Sequence, residues 1–135
     1  MSTPGIIVAD DNSIYLELIK ELLIEEGYPQ VHCLRSLAVF DVVRQEQPDL
    51  VILDINSAHP SEGWHLLDLL RLHPTTTNIP VIVCSTDPYI LREKAAWLAE
   101  MRCDTLEKPF DLDALLDKVR SVLGSPPKGT KETAE

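Results

Sequence analysis

No run of about 18 apolar residues occurs anywhere in the chain, so no segment is long enough to cross a membrane as a helix. The first strand-like run, Ile6-Ile7-Val8-Ala9, starts so close to Met1 that it leaves no room for a signal peptide. Cysteine is scarce. Cys33, Cys84 and Cys103 are odd in number, widely spaced and without a CxxC, which argues against a disulfide framework and for reduced thiols in the cytoplasm. Positive charge is scarce too: 12 Lys and Arg stand against 22 Asp and Glu, a net charge of -10 that repels a phosphate backbone. Direct nucleic-acid binding is therefore not expected. Neither GxxxxGKS/T nor GxGxxG is present, so nucleotide binding has no support. His32, His59, His65 and His73 have no metal-ligand spacing among themselves, and the chain shows no internal repeat.

What remains is an ordinary globular composition, 44% hydrophobic and 25% charged over 135 residues. That is one domain, large enough to bury a core without disulfides or metals. Ile6 to Ala9 is a short apolar run of the kind covered on both faces. It ends in Asp10-Asp11-Asn12-Ser13, which can cap a helix with a stripe at Ile14, Leu18, Leu22 and Leu23, closed by Gly27. A second strand fits Val31 to Leu34, followed by a helix capped by Ser36 through Val39, Val42 and Val43, with Pro48 ending the connection. Leu50-Val51-Ile52-Leu53 is the clearest buried strand and runs straight into Asp54. A polar loop leads to a helix from about Gly63 carrying Leu66, Leu67 and Leu70. His73 to Pro80 reads as loop.

Val81-Ile82-Val83-Cys84 is a fourth strand, and Asp87 followed by Pro88 is a strong helix start. A short fifth strand at Thr105-Leu106-Glu107 meets Lys108-Pro109-Phe110. The last helix is capped by Asp111, has its stripe at Leu112, Leu115, Leu116, Val119 and Leu123, and ends at Gly124. Residues 125–135 form a Pro/Lys/Thr/Glu tail that cannot bury anything, a flexible terminus to a domain of residues 1–124. Five strands alternating with five helices imply a doubly wound α/β fold, an open parallel sheet with helices on both faces. A closed eight-fold barrel needs a much longer chain.

In such sheets ligands bind outside the carboxyl ends of the strands, where the strand order reverses. Those ends carry Asp10 and Asp11, then Asp54, then Ser85 and Thr86, then Lys108. Three carboxylates converging on one rim repel one another unless a hard cation sits between them, and oxygen ligands suit Mg²⁺. A hydroxyl and an ammonium on the same rim could receive phosphoryl oxygens. Taken singly each residue has an ordinary reading: Asp10 and Asp11 as helix caps, Asp54 as a turn residue, Ser85 as a loop hydroxyl, Lys108 as a solvated charge. Repetition at successive core strands sets them apart.

In these features residues 5 to about 123 resemble the receiver domains of two-component response regulators, with their flavodoxin-like (βα)5 fold. Asp10-Asp11 is similar to the acidic pair that holds Mg²⁺ in that family. Asp54 in LVILD resembles the phosphoacceptor, Ser85 in PVIVCST the hydroxyl that moves onto the phosphoryl group, and Lys108 in EKPF the lysine that pairs with its oxygens. Asn56 corresponds to the position whose backbone carbonyl completes the metal site. Asn56, Thr86 and Asp87 match positions that border the entrance to the site, so they are expected to tune how long the phosphoryl group lasts. The resemblance implies a phosphohistidine on a sensor histidine kinase, or a phosphotransfer protein, as donor. It further implies that Ser85 shifts a surface formed by the fourth helix, fifth strand and last helix, which a downstream protein reads.

The chain departs from the family in three places. Pro60 and Gly63 lie six and nine residues after Asp54, where a proline at four and a glycine at eight are usual, so this loop is lengthened. Thr105 stands where a switch aromatic is usual, and Met101-Arg102 replaces a Gly-Ala, which implies an altered approach to the fifth strand. The expected function is a single-domain response regulator, not an enzyme beyond its own phosphotransfer and aspartyl-phosphate hydrolysis. A pseudo-receiver, an interaction module that is never phosphorylated, is the alternative. A phosphohydrolase ranks last, since those enzymes need a cap domain and a second acid where Asn56 stands. Trp64 and Trp97 read as packing or partner-surface residues.

Overall fold

A computed structural model describes residues 4–35, 38–55, 60–108 and 111–124. The β-branched and leucine runs form five strands: β1 (Gly5–Ala9), β2 (Gln30–Leu34), β3 (Leu50–Ile55), β4 (Val81–Ser85) and β5 (Cys103–Glu107). All pair in parallel in the order β2-β1-β3-β4-β5, so the chain crosses over once, between β2 and β3. Side chains alternate across the pleat, and both faces of the central strands are buried. Ile6, Val8, Leu50, Ile52, Ile82, Cys84 and Leu106 face one core with α1 (Ser13–Glu25) and α6 (Leu112–Leu123). Ile7, Ala9, Val51, Leu53, Ile55, Val81 and Val83 face the other, with α2 (Val39–Glu46), α3 (Pro60–Leu72), α4 (Pro88–Glu93) and α5 (Ala95–Glu100). The doubly wound α/β reading therefore holds.

The connection between β4 and β5 is two helices, not one. Asp87 caps α4 and Pro88 takes its first position as expected, but the helix pauses at Lys94. Hydrogen bonds continue on either side, Lys94 N–H to Ile90 O and Leu98 N–H to Lys94 O, so α4 and α5 make a kinked pair. Lys94 places its ammonium 5.0 and 5.1 Å from the ring centroids of Trp64 and Trp97, which meet edge to face. Both tryptophans are thus packing residues that tie α3 to this kink.

Other boundaries shift for local reasons. On α1 the buried stripe is Leu16, Ile19 and Leu23, while Ile14 is 82% and Leu18 47% exposed. Asn12 is the cap, accepting from the N–H groups of Ile14 and Tyr15, and Gly27 takes the left-handed φ of 104° that ends the helical segment. The helix α2 begins after Ala38, and Ser36, expected as its cap, lies outside the described residues. The next helix starts at Pro60 rather than Gly63, as suits a proline at a first helical position. Gly63 lies against the end of β3, where a Cβ would come 2.5 Å from Ile55 Cδ1. Within the expected loop before β4, Thr76 is buried and donates to Leu70 O at 2.6 Å.

The last strand begins at Cys103 rather than Thr105, because Cys103 pairs with Val81. The altered approach to it is a left-handed Arg102, φ 58°, whose guanidinium donates to Asn78 Oδ1 and Thr77 O. Asp111 begins α6 without a side-chain capping bond, and Leu112 stays 37% exposed. The proposed tail, residues 125–135, lies outside the described residues, as do Pro109 and Phe110.

Candidate functional site

The crossover places the ends of β1 and β3 side by side with their connections leaving to opposite faces, which opens a crevice at the strand ends. Asp10 follows β1, and its own N–H is tied to Leu34 O at the end of β2. It is 6% exposed; Oδ1 accepts the N–H of Asn12 and Oδ2 the ammonium of Lys108, both at 3.0 Å. Asp54 lies inside β3, opposite Cys84 of β4, and its Oδ1 is 2.8 Å from Lys108 Nζ. Lys108 follows β5; its N–H donates to Ser85 O at 2.7 Å, which extends the β4–β5 ladder by one step and turns the side chain over the crevice. One ammonium thus spans two carboxylates, with all three side chains at most 14% exposed.

The electrostatics follow from that burial. Desolvation raises the Asp54 carboxyl above the usual carboxylate range; Lys108 opposes the rise, and the charges of Asp10 and Asp11 add to it. Burial alone would lower Lys108, but its bonds to Asp54 and Asp10 outweigh that and its ammonium is held more firmly than usual. Cys84, buried beside Asp54, is pushed up to about 12, so it remains an inert thiol.

Asp10, Asp54 and Lys108 therefore come together. Ser85, though buried at the end of β4, turns its hydroxyl to accept the Asp87 N–H at 3.0 Å. Asp87 Oδ1 in turn accepts from Tyr89 and Ile90 as the cap of α4, and Thr86 between them is exposed. Asn56 lies outside the described residues. Thr105 shares a face with Val83 on β5, with no ring to turn. Among the described residues no group of three His, Cys, Asp or Glu stands ready to hold a metal, and the positive charge between Asp10 and Asp54 is that of Lys108. The donor chemistry nevertheless fits a hard divalent ion: Asp10, Asp11 and Asp54 offer only oxygens, and one ammonium leaves them with negative charge in excess. The strand ends did not point to Tyr15, whose ring centroid is 4.1 Å from Lys108 Nζ. It lies four residues before the buried Ile19 on α1, a spacing that the sequence shares with several other apolar pairs of that helix.

A parallel five-stranded sheet with an acid pair and a lysine at its switch point defines a receiver-type α/β domain. The family model for the response regulator receiver domain matches residues 6–120, and the chain belongs to that family. Among curated relatives, the polar-differentiation response regulator DivK of Brucella ovis is 23% identical over 123 residues, covering 90% of this chain and 98% of that protein. Among solved structures, the Vibrio cholerae chemotaxis protein CheY4 superposes with a TM-score of 0.75 at 20% identity, covering 90% of this chain and all of that one (100%). The receiver domain of a sensor histidine kinase from Pseudomonas aeruginosa, which carries magnesium in its active site cleft, gives 0.74 at 19% identity, covering 92% and 100%. No helix among the described residues is long and apolar enough to cross a membrane.

Proposed function

We propose that this receiver domain takes a phosphoryl group onto Asp54 from the phosphohistidine of a sensor histidine kinase or phosphotransfer protein. The observation that carries this is Lys108 Nζ, 2.8 Å from Asp54 Oδ1 and 3.0 Å from Asp10 Oδ2. An Asp54 oxygen attacks phosphorus in line, a P–O bond forms, the P–N bond breaks, and its electrons return to the imidazole nitrogen. Lys108, already within hydrogen-bond reach of the attacking carboxylate, neutralises charge on the phosphoryl oxygens. Asp10, Asp11 and Asp54, with the carbonyl of Asn56, would hold Mg²⁺. When bound, that ion supplies charge neutralisation to the same oxygens.

Ser85 would exchange its bond from the Asp87 N–H for one to the phosphoryl group, and that exchange would loosen the start of α4. With Thr105 in place of an aromatic, a change at α4 reaches the β5 and α6 surface through backbone and packing. A downstream protein reads that surface. The domain turns over no separate substrate; its chemistry is its own phosphorylation and the hydrolysis that ends it. It acts in the cytoplasm, and its acidity keeps it off nucleic acid and off anionic lipid.

Incubation with acetyl phosphate and Mg²⁺ should add one phosphoryl mass, and Asp54→Asn should abolish it. The same variant should be more stable than wild type at pH 7 by about 1 kcal/mol, the usual gain on relieving an active-site cost. The sign follows from the raised Asp54 carboxyl: ionisation disfavours the folded state, so the gain is present above the folded pKa. It should vanish below about pH 4, where the carboxyl is neutral in both states. Labelling that persists in Asp54→Asn would move the acceptor elsewhere. No labelling of the wild type would favour the pseudo-receiver reading, which the engagement of Ser85 with Asp87 and the absence of a ring at Thr105 also support.

Thr86 is exposed beside Ser85, where its bulk would border the path of small donors and of water. Since about 1 Å of misplacement costs roughly a hundredfold in an in-line reaction, Thr86→Ala should speed both acetyl phosphate labelling and self-dephosphorylation severalfold. Mg²⁺ affinity should barely change. Unchanged rates with the fold intact would show that Thr86 points away from the site.

A further inference from the structure

Tyr15 enters the site for a packing reason. Burying Leu16, Ile19 and Leu23 against the sheet fixes the rotation of α1, and that rotation carries the tyrosine of its first turn over the crevice. Together with Asp10, Asp54, Cys84 and Lys108 it lines the small cavity at the strand ends. Its centroid lies 4.1 Å from the Lys108 ammonium, inside the range where a ring quadrupole attracts a cation. The contacts of Arg44, Arg92 and Lys94 with rings elsewhere are longer, at 5.0 to 5.7 Å. Burial also keeps the phenol well above its usual range, so the ring stays neutral beside two carboxylates.

We propose that Tyr15 is a positioning residue for phosphoryl transfer, its ring face holding the Lys108 ammonium between Asp10 and Asp54. The inference rests on Asp54 being the phosphoacceptor. Lysine is a point charge on a flexible four-carbon stem, and its two anionic partners are unequal in the reaction. Once an Asp54 oxygen is committed to phosphorus, Asp10 competes with the phosphoryl oxygens for the ammonium and draws it toward β1. The ring contact does not depend on the charge of Asp54, so it opposes that drift throughout. An aliphatic side chain would fill the space without attracting the cation.

The test compares wild type, Tyr15→Phe and Tyr15→Leu, each checked for its fold by far-UV circular dichroism. In wild type the ε-methylene protons of Lys108 should resonate upfield of ordinary lysines, because the ammonium they adjoin lies over the ring at 4.1 Å from its centroid. Tyr15→Phe should keep that shift and Tyr15→Leu should lose it. With acetyl phosphate and Mg²⁺, Tyr15→Leu should lower the maximal labelling rate about fivefold, a mid-range effect for one cation–π contact. The donor concentration for half-maximal rate should stay within about twofold, and Tyr15→Phe should restore the rate. Ordinary Lys108 shifts in wild type would overturn the proposal, and that measurement needs no variant. So would wild-type labelling in Tyr15→Leu. Failure of the wild type to label at all is a separate result, which removes Asp54 as acceptor and the inference with it.

Discussion

Lys108→Met should slow labelling of Asp54 by about a hundredfold or more, the usual cost of removing one donor from a site of developing negative charge. It should also destabilise the fold. Methionine fills similar space but leaves Asp10 and Asp54 facing each other, 6% and 14% exposed, with no cation between them. Breaking a fully buried pair costs about 3–5 kcal/mol, so about 2 kcal/mol is expected here, where the pair keeps an edge to water. The pH dependence has a definite sign. Without the ammonium, a carboxyl already raised by burial rises further, so its ionisation opposes folding more strongly. The deficit is present above the folded pKa and shrinks as pH falls through it. Urea unfolding at pH 7 and at about pH 4 should show the gap to wild type closing. A gap of constant size would mean that lost packing, not charge, is responsible.

Arg71→Met should cost about 3 kcal/mol, a large share of what holds a domain of this size together. From α3 one guanidinium donates to Met101 O at 2.7 Å, Ile79 O at 2.8 Å and Thr77 O at 3.2 Å. Those carbonyls belong to the turn before β5 and the connection before β4. Each bond from a charged donor contributes about 1.5–3 kcal/mol when made alone, and the sum is smaller because the three share one group and partial water access. Arg71→Lys should recover only part of the loss, since an ammonium cannot reproduce the planar fork. Urea unfolding reads both. A loss under about 1 kcal/mol would show that water satisfies those carbonyls as well as the guanidinium does.

Neither Arg71 nor Tyr15 could be picked out from the sequence, for different reasons. Arg71 acts on carbonyls, which carry no residue identity, and its partners are fixed only when two connections meet beside α3. Tyr15 was hidden by excess: α1 has apolar residues at Ile14, Leu16, Leu18, Ile19, Leu22, Leu23 and Ile24, so more than one stripe satisfies a helical period. The sheet chose Leu16, Ile19 and Leu23, and the stripe through Ile14 and Leu18 faces water. The kink at Lys94 has no glycine or proline to announce it, only the indole of Trp97 just beyond it and that of Trp64 brought in from α3. The early start of β5 was masked because Cys103-Asp104 on an edge strand shows little apolar alternation. By contrast Asp10, Asp54 and Lys108 were legible because each lies at or just past the carboxyl end of a strand at one rim, a position that topology alone makes special.

The pairing of Lys108 with Asp10 joins residues 98 positions apart, the first strand to the last. Nothing local assembles this chemistry. Closing so long a loop is entropically unfavourable until the intervening sheet has formed, so the reactive constellation arises late and as a unit. During synthesis the two acids emerge well before the lysine that neutralises them, and until it arrives their burial is opposed by their own charge. Completeness is therefore a condition of the site: a chain that has not brought β5 into the sheet lacks the one cation that makes the burial of Asp10 and Asp54 tolerable.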